Sequence, residues 1–247
     1  MNPFRKTFRE RPPSSDNALT GFDAFSHPAT GTIWAVEGWG GNHELRRLFS
    51  LYGSDKGHIP GDVQPYSWQE HNYWAVYGLI LQPYRMTAKL VVECGIGSND
   101  DRVPSNMTRH GRPGASLRAW RDFFPYAEVI GIDVDEAALF TEDRIRTFAV
   151  DQTSQQSIFS FVETLGNRLI DIVIDDGLHT FVAGASLFDG LFPKVKTGGL
   201  YVIEDVRQDD VSNYVDWFRR RNLSGSIIQI AREGRPTGDN RLVVVHA

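Results

Sequence analysis

The chain has 247 residues, 41% hydrophobic and 23% charged, and its 31 acidic and 26 basic side chains leave a net charge of −5. That suffices for one large domain, or one domain with a small appendage, and the acidic balance argues against a general nucleic-acid binder. A single cysteine excludes a disulfide framework and a thiolate metal cluster, and no apolar run approaches the roughly 18 residues of a membrane span. The polar opening MNPFRKTFRERPPSSDN has no apolar segment of the signal-peptide kind, so a soluble, cytoplasmic protein is expected. Residues 1–42 are rich in Pro, Gly, Ser and Thr with scattered aromatics (Phe22, Phe25, Trp34, Trp39). They read as irregular structure that docks on its own domain or on a second subunit. Apolar spacing predicts a short helix over 43–53 and a longer one over 68–82, the latter with Trp74, Val76, Tyr77 and Ile80 on its apolar side.

From residue 88 the pattern changes. Short β-branched runs at 89–93, 128–132, 146–150, 170–174 and 199–203 alternate with helix-like stretches at 116–124, 154–166, 181–192 and 208–221. Strands apolar on both faces and separated by helices indicate a parallel sheet covered on both sides. The runs 226–231 and 241–246 have no helix between them and so form an antiparallel hairpin. The expected fold class is therefore α/β and Rossmann-like: a mostly parallel seven-stranded sheet with a reversed last strand and helices on both faces. This outline resembles the class I methyltransferase sheet. Residues 1–87 are expected to form an irregular and helical extension for cap or oligomer contacts, ahead of a ligand-binding domain over 88–247.

The first strand of the sheet runs into Glu93-Cys94-Gly95-Ile96-Gly97-Ser98-Asn99. Glycines at the carboxyl end of a strand let the backbone approach a ligand closely. A lone G-x-G is a weak signal, more often a tight strand-to-helix turn than a cofactor site, and a dinucleotide fingerprint would want a third glycine where Asp100 stands. Asp133 ends the second strand, placed to accept from ribose hydroxyls. Asp151 follows the third, with Gln152 beside it, placed to accept from an adenine amino group. Alone, each acid would be a helix cap. Together with Glu93 and the glycine loop they indicate S-adenosyl-L-methionine, and Gly95, Gly97, Ser116 and Asp175 complete the candidate cofactor set. Cys94 reads as a small semi-buried side chain.

The fourth strand ends in Asp175-Asp176-Gly177-Leu178-His179 and the fifth in Glu204-Asp205. Neighbouring strands lie about 5 Å apart, so Asp176, Glu204 and Asp205 are expected around one point. Like charges that close repel unless a cation lies among them, and an all-oxygen set suits Mg²⁺, or Mn²⁺ or Ca²⁺, over zinc. The bland alternative is acids that cap helices and solvate a loop. His179 stands where a general base is needed; His43, His58, His71 and His110 have no assigned part. Arg118 and Trp120 read as packing, and Ser116 as a cap or a cofactor contact. Lys56 reaches a cofactor carboxylate, an anionic substrate or solvent. Arg219, Arg220 and Arg221 read as a solvated helix face.

The runs ECGIGSND, SLRAWRDFFPYAEVIGIDVD, DRIRTFAVDQTS, DIVIDDGLHTF and LFPKVKTGGLYVIEDV, with YGSDKG ahead of them, resemble the macrolide-sugar O-methyltransferases of the mycinamicin and tylosin type over residues 45–206. The resemblance implies an S-adenosyl-L-methionine- and Mg²⁺-dependent O-methyltransferase acting in natural product biosynthesis on a hydroxyl of a sugar or glycosylated small molecule. It implies Mg²⁺ on Asp176, Glu204 and Asp205, with His179 as base and Asp176 beside it in the catalytic pair. Leu178 departs from the usual serine, and residues 100–114 form a long loop read as a lid with glycine hinges. The first 40 residues match nothing in the family. A catechol or other non-sugar diol is an alternative acceptor, and a non-catalytic cofactor-binding scaffold a second reading. Neither a nucleic-acid nor a membrane partner is expected; the aromatic N-terminus hints at a homo-oligomer.

Overall fold

The computed structural model describes residues 30–36, 44–57, 66, 68, 70–231 and 238–247. Phe22, Phe25, Trp39, His43 and His58 lie outside the described residues, as does the side chain of Trp34. In chain order the elements are β1 (Thr30–Val36), α1 (Glu44–Tyr52), α2 (Trp74–Ile80), β2 (Leu90–Cys94), α3 (Ala115–Phe123), β3 (Glu128–Asp133), β4 (Thr141–Glu142), β5 (Ile145–Ala149), α4 (Gln155–Leu165), β6 (Ile170–Asp175), α5 (Phe181–Leu191), β7 (Val195–Ile203), α6 (Val211–Arg221), β8 (Gly225–Ala231) and β9 (Arg241–His246). One sheet contains all the strands, in the order β1-β8-β9-β7-β6-β2-β3-β5-β4.

The seven central strands bear out the sequence reading, including the reversed one: β9 pairs antiparallel with both β7 and β8. Two edge strands were not foreseen. β1 pairs parallel with β8 inside the stretch read as irregular, and the two-residue β4 pairs antiparallel with β5. The run TGTIWAV is β-branched and aromatic, but a composition dominated by Gly, Pro and Ser around it masks the signal, and an edge position is decided by the neighbouring strand. The link from β3 to β5 carries no α-helix, only a 3₁₀ turn at Glu136–Ala138 and β4. The second predicted helix is shorter than 68–82: it begins only at Trp74, and at its far end Pro83 lies in the 3₁₀ turn Gln82–Tyr84 that follows it.

Alternation along each strand divides the core into two layers. Val91, Ile172 and Val202 face Leu45, Phe49, Tyr77 and Trp120, so α1, α2 and α3 cover one side. Val92, Val173 and Tyr201 face Phe161, Leu187 and Trp217, so α4, α5 and α6 cover the other. Each such side chain contributes about 1.5–3 kcal/mol on burial. The N-terminal helices are thus built into the same core as β2 and α3, which fixes everything attached to them relative to the strand ends. Among the described residues no helix is long and apolar enough to cross a membrane.

Candidate active site

The carboxyl ends of β2 and β6 are stitched together where the Asp176 amide donates to the Cys94 carbonyl at 2.9 Å. The approach is so close that a Cβ on Gly95 (φ +81°) would lie 2.0 Å from the Asp176 carbonyl oxygen. Only glycine fits, and the glycine loop therefore lies directly against the acidic turn. Asp133 holds the loop from the other side: its carboxylate accepts from the backbone amides of Ile96 and Asp135, each at 2.9 Å. Burial pushes its pKa above the usual carboxylate range.

Over these strand ends opens a cavity of about 600 Å³. Gly95, Gly97, Ser116, Asp133, Asp151 and Gln152 line it. Asp151 steadies the wall by accepting from the amide and hydroxyl of Thr153, at 2.8 and 2.6 Å. Glu93 and Asp175, expected with the cofactor set, lie behind this wall. Glu93 is fully buried, accepts from Ser116 Oγ at 2.7 Å and Trp120 Nε1 at 3.2 Å, and is pushed up to about 7 by burial. Asp175 accepts from Gln152 Nε2 at 3.1 Å and is pushed up to about 6 by burial. Gln152 Oε1 in turn accepts from the Leu178 amide at 2.6 Å, so Leu178 enters the wall through its backbone. Ser116 is not a cap: α3 starts from Gly114 in the left-handed region, and the serine hydroxyl is spent on Glu93. Residues 103–107 of the long loop form part of the wall, tied down by a 2.8 Å bond from the Met107 amide to the Ser98 carbonyl.

At the inner end of the cavity Asp176, His179 and Asp205 each offer a donor atom, all within 4.8 Å of one another. His179 Nε2 lies 3.3 Å from Asp176 and Nδ1 lies 3.5 Å from Asp205. His179 and Asp205 both have positive φ, +56° and +54°, a conformation that non-glycine residues hold only when the surroundings enforce it. Glu204 is one step further in. Its Oε2 accepts from Lys56 Nζ at 2.7 Å, and its Oε1 from the Tyr77 hydroxyl. Lys56, which the sequence left between a ligand contact and solvent, is 2% exposed; its ammonium also bonds Asp176 and lies 3.6 Å from Glu93. Burial disfavours its charge, yet the carboxylates of Asp176, Glu204 and Glu93 hold its pKa well above that of free lysine.

The Lys56 ammonium faces Glu93, Asp176 and Glu204, and Asp205 faces His71 and His179, so acids are in excess over the one ammonium in a medium that screens poorly. The same excess acts on His179. Burial opposes its protonation, but Asp205 and Asp176 outweigh burial and push the imidazole up to about 10. Carboxylates open to the cavity, beside a buried imidazole Nε2 that has no hydrogen-bond partner, fit a hard divalent cation. Asp176 and Asp205 face that position, and Glu204 is held back from it by Lys56 and Tyr77.

Three further side chains come to this cluster from the segment between β1 and β2. Tyr73 donates to Asp205 Oδ1 at 2.5 Å, Tyr77 bonds Glu204, and His71 stacks on Tyr73 with its Nδ1 3.6 Å from Asp205. Sequence reading placed Tyr77 on the apolar face of a helix and gave His71 no part. The available signal was the four-residue spacing of the two tyrosines, which puts Tyr73, at the start of α2, and Tyr77, one turn on, on the same side.

Fold and strand-end site together define a class I methyltransferase fold. No family model matches the chain. In sequence it is similar to the macrolide- and polyketide-sugar O-methyltransferases. It is 35% identical over 163 residues (66% of this chain, 38% of the relative) to the 8-demethyl-8-alpha-L-rhamnosyl tetracenomycin-C 2'-O-methyltransferase of Streptomyces olivaceus. It is also 35% identical over 139 residues (55% and 32%) to the mycinamicin VI 2''-O-methyltransferase of Micromonospora griseorubida. The chain thus spans well under half the length of the curated relatives it matches. Among solved structures it superposes on the MycE methyltransferase of the mycinamycin biosynthetic pathway, in complex with Mg, SAH and mycinamycin VI, with a TM-score of 0.58 and 25% identity over 82% of this chain and 54% of that one.

Proposed function

We propose that this chain is a cytoplasmic enzyme that transfers the methyl group of S-adenosyl-L-methionine to a hydroxyl of a sugar or glycosylated small molecule. The observation that carries this reading is the meeting of two sets on one cavity: the glycine loop with Asp133 and Asp151, and the cluster Asp176–His179–Asp205. Gly95, Gly97 and Asp133 seat the nucleoside and its sulfonium chain, with Asp151 and Gln152 beyond them at the base. Asp176 and Asp205 hold the divalent ion, with Glu204 the third carboxylate immediately behind. When bound, the ion lowers the pKa of an acceptor hydroxyl and offsets the carboxylates' charge.

His179 would be the group positioned to take the acceptor's proton once a bound ion, offsetting the charge of Asp176 and Asp205 that otherwise keeps the imidazole protonated, leaves it neutral; the two carboxylates flank its ring nitrogens and fix the ring's orientation. When bound, the cofactor would supply the methyl group from its sulfonium, and His179 would hold the proton given up by the acceptor hydroxyl. Alignment of the two reactants supplies several kcal/mol of the barrier reduction. The relatives named above act on a rhamnosyl tetracenomycin and on mycinamicin VI, and these are the acceptors to try first with Mg²⁺ and labelled cofactor. Methyl transfer to such a sugar is the expected result. His179→Ala is expected to lower kcat by about 10²–10⁴-fold with the affinity for S-adenosylhomocysteine unchanged. Near-normal turnover by this variant would remove His179 as the base. Cofactor binding by the wild-type protein without uptake of a divalent ion would favour a scaffold or a metal-free enzyme.

A further inference from the structure

A lysine occupies the position that a cation shared by two strand-end acids would take. The turn after α1, where Gly53 holds φ +79°, leads into Lys56, whose carbonyl accepts from the Trp74 amide at 3.1 Å. This bond ties Lys56 to the first residue of α2, so its side chain enters the acidic cluster from a fixed point. Asp176 and Glu204 stand side by side there, because Asp175 and Ile203 are paired at the ends of β6 and β7 and the Glu204 amide donates to the Asp175 carbonyl at 2.9 Å. The Lys56 ammonium lies between their carboxylates, bonding Asp176 and, at 2.7 Å, Glu204 Oε2.

The two acids are left in different states. Glu204 is 1% exposed, does not line the cavity, and has both oxygens engaged, one by Lys56 and the other by the Tyr77 hydroxyl. Asp176 lines the cavity, and its other oxygen, Oδ1, is turned to His179 Nε2 at 3.3 Å. The donor atoms that converge on one point are accordingly those of Asp176, His179 and Asp205. The family resemblance implies Glu204 as a third ion ligand, and here neither of its oxygens is among those donor atoms.

We propose that Lys56 is a positioning residue that selects the ligands of the divalent ion and sets its affinity. The proposal rests on the reading of the cluster as a divalent-ion site. Lys56 and Glu204 neutralise each other as a pair, which withholds Glu204 and leaves the ion to Asp176 and Asp205. The ammonium also shares Asp176 with the ion, so two positive charges meet across one carboxylate and repel. Ion binding is therefore weaker than three free carboxylates would give, because affinity for a hard cation rises with the number of charged oxygens. A site tuned in this way exchanges its ion with solution, and between ions Lys56 keeps the strand-end acids from repelling one another.

The test titrates the full chain with manganese, followed by electron paramagnetic resonance, in wild type, Lys56→Gln and the double variant Lys56→Gln/Glu204→Gln, with circular dichroism to report that each folds. Lys56→Gln binds manganese about tenfold more tightly or better, since the repulsion goes and Glu204 gains a free oxygen. A merely structural role for Lys56 would weaken the ion, not tighten it. The double variant removes one charge of each sign, so the cluster keeps its net charge, and its manganese affinity stays within about threefold of wild type. A folded Lys56→Gln that binds manganese no more tightly than wild type overturns the proposal. So does a double variant weakened tenfold or more, because Glu204 is then an ion ligand, and this leaves the divalent-ion reading standing. If Lys56→Gln does not fold, the double variant decides alone, since it leaves Glu204 without an unpaired buried charge. A wild type that takes up no manganese brings down the divalent-ion reading, and the proposal with it.

Discussion

Two regions of the molecule deliver charge to the same point by different routes. Asp176, Glu204 and Asp205 arrive on adjacent strand ends, where the sheet spacing places them side by side. Lys56, Tyr73 and Tyr77 arrive from the segment between β1 and β2, and only the packing of α1 and α2 against α3 and the sheet brings them there. The first group concentrates negative charge; the second shares it out. Lys56 and Tyr77 engage Glu204 completely, whereas Asp176 and Asp205 keep an oxygen toward His179. The lesson is that a strand-end acid is made reactive or inert by what docks over it, not by its place in the sheet.

Breaking the second region is the severest way to probe this contrast. Lys56→Met leaves Asp176, Glu204 and Glu93 without their common cation, and removing one partner of a buried ion pair costs about 3–5 kcal/mol. Urea unfolding of the ion-free protein is expected to show a loss of that size; a loss below about 1 kcal/mol would mean that the ammonium is not a counter-ion. Tyr77→Phe sharpens the contrast more gently. It removes one hydrogen bond to the Glu204 carboxylate and leaves the ring in the core, which costs about 1.5–3 kcal/mol in the same measurement. A stability equal to wild type would show that Glu204 is not held by this hydroxyl.

The sheet was legible because its central strands carry uninterrupted apolar runs, and the reversed β9 because no helix separates it from β8. β1 and β4 were not, since an edge strand owes its pairing to a neighbour. At the site, the strand-end rule located each acid only to within one residue. Alternation then decided its direction: Glu93 shares a face with Val91 and turns toward Trp120, while Cys94 after it lines the cavity. Asp175 likewise shares the face of Val173 and lies against Gly184 of α5, leaving Asp176 to enter the cavity. Lys56 and the tyrosines left a weaker trace, because no periodicity relates a loop lysine to a strand more than a hundred residues away.

On the proposed assignment Asp176 and Asp205 face the divalent ion, and Glu204 is held back from it. Manganese titration of the ion-free protein followed by electron paramagnetic resonance tests it most directly, comparing wild type with Asp205→Asn. Saturable uptake by the wild type, weakened at least about tenfold in Asp205→Asn with S-adenosylhomocysteine binding intact, is the predicted result. Equal manganese affinity in the two proteins would contradict it.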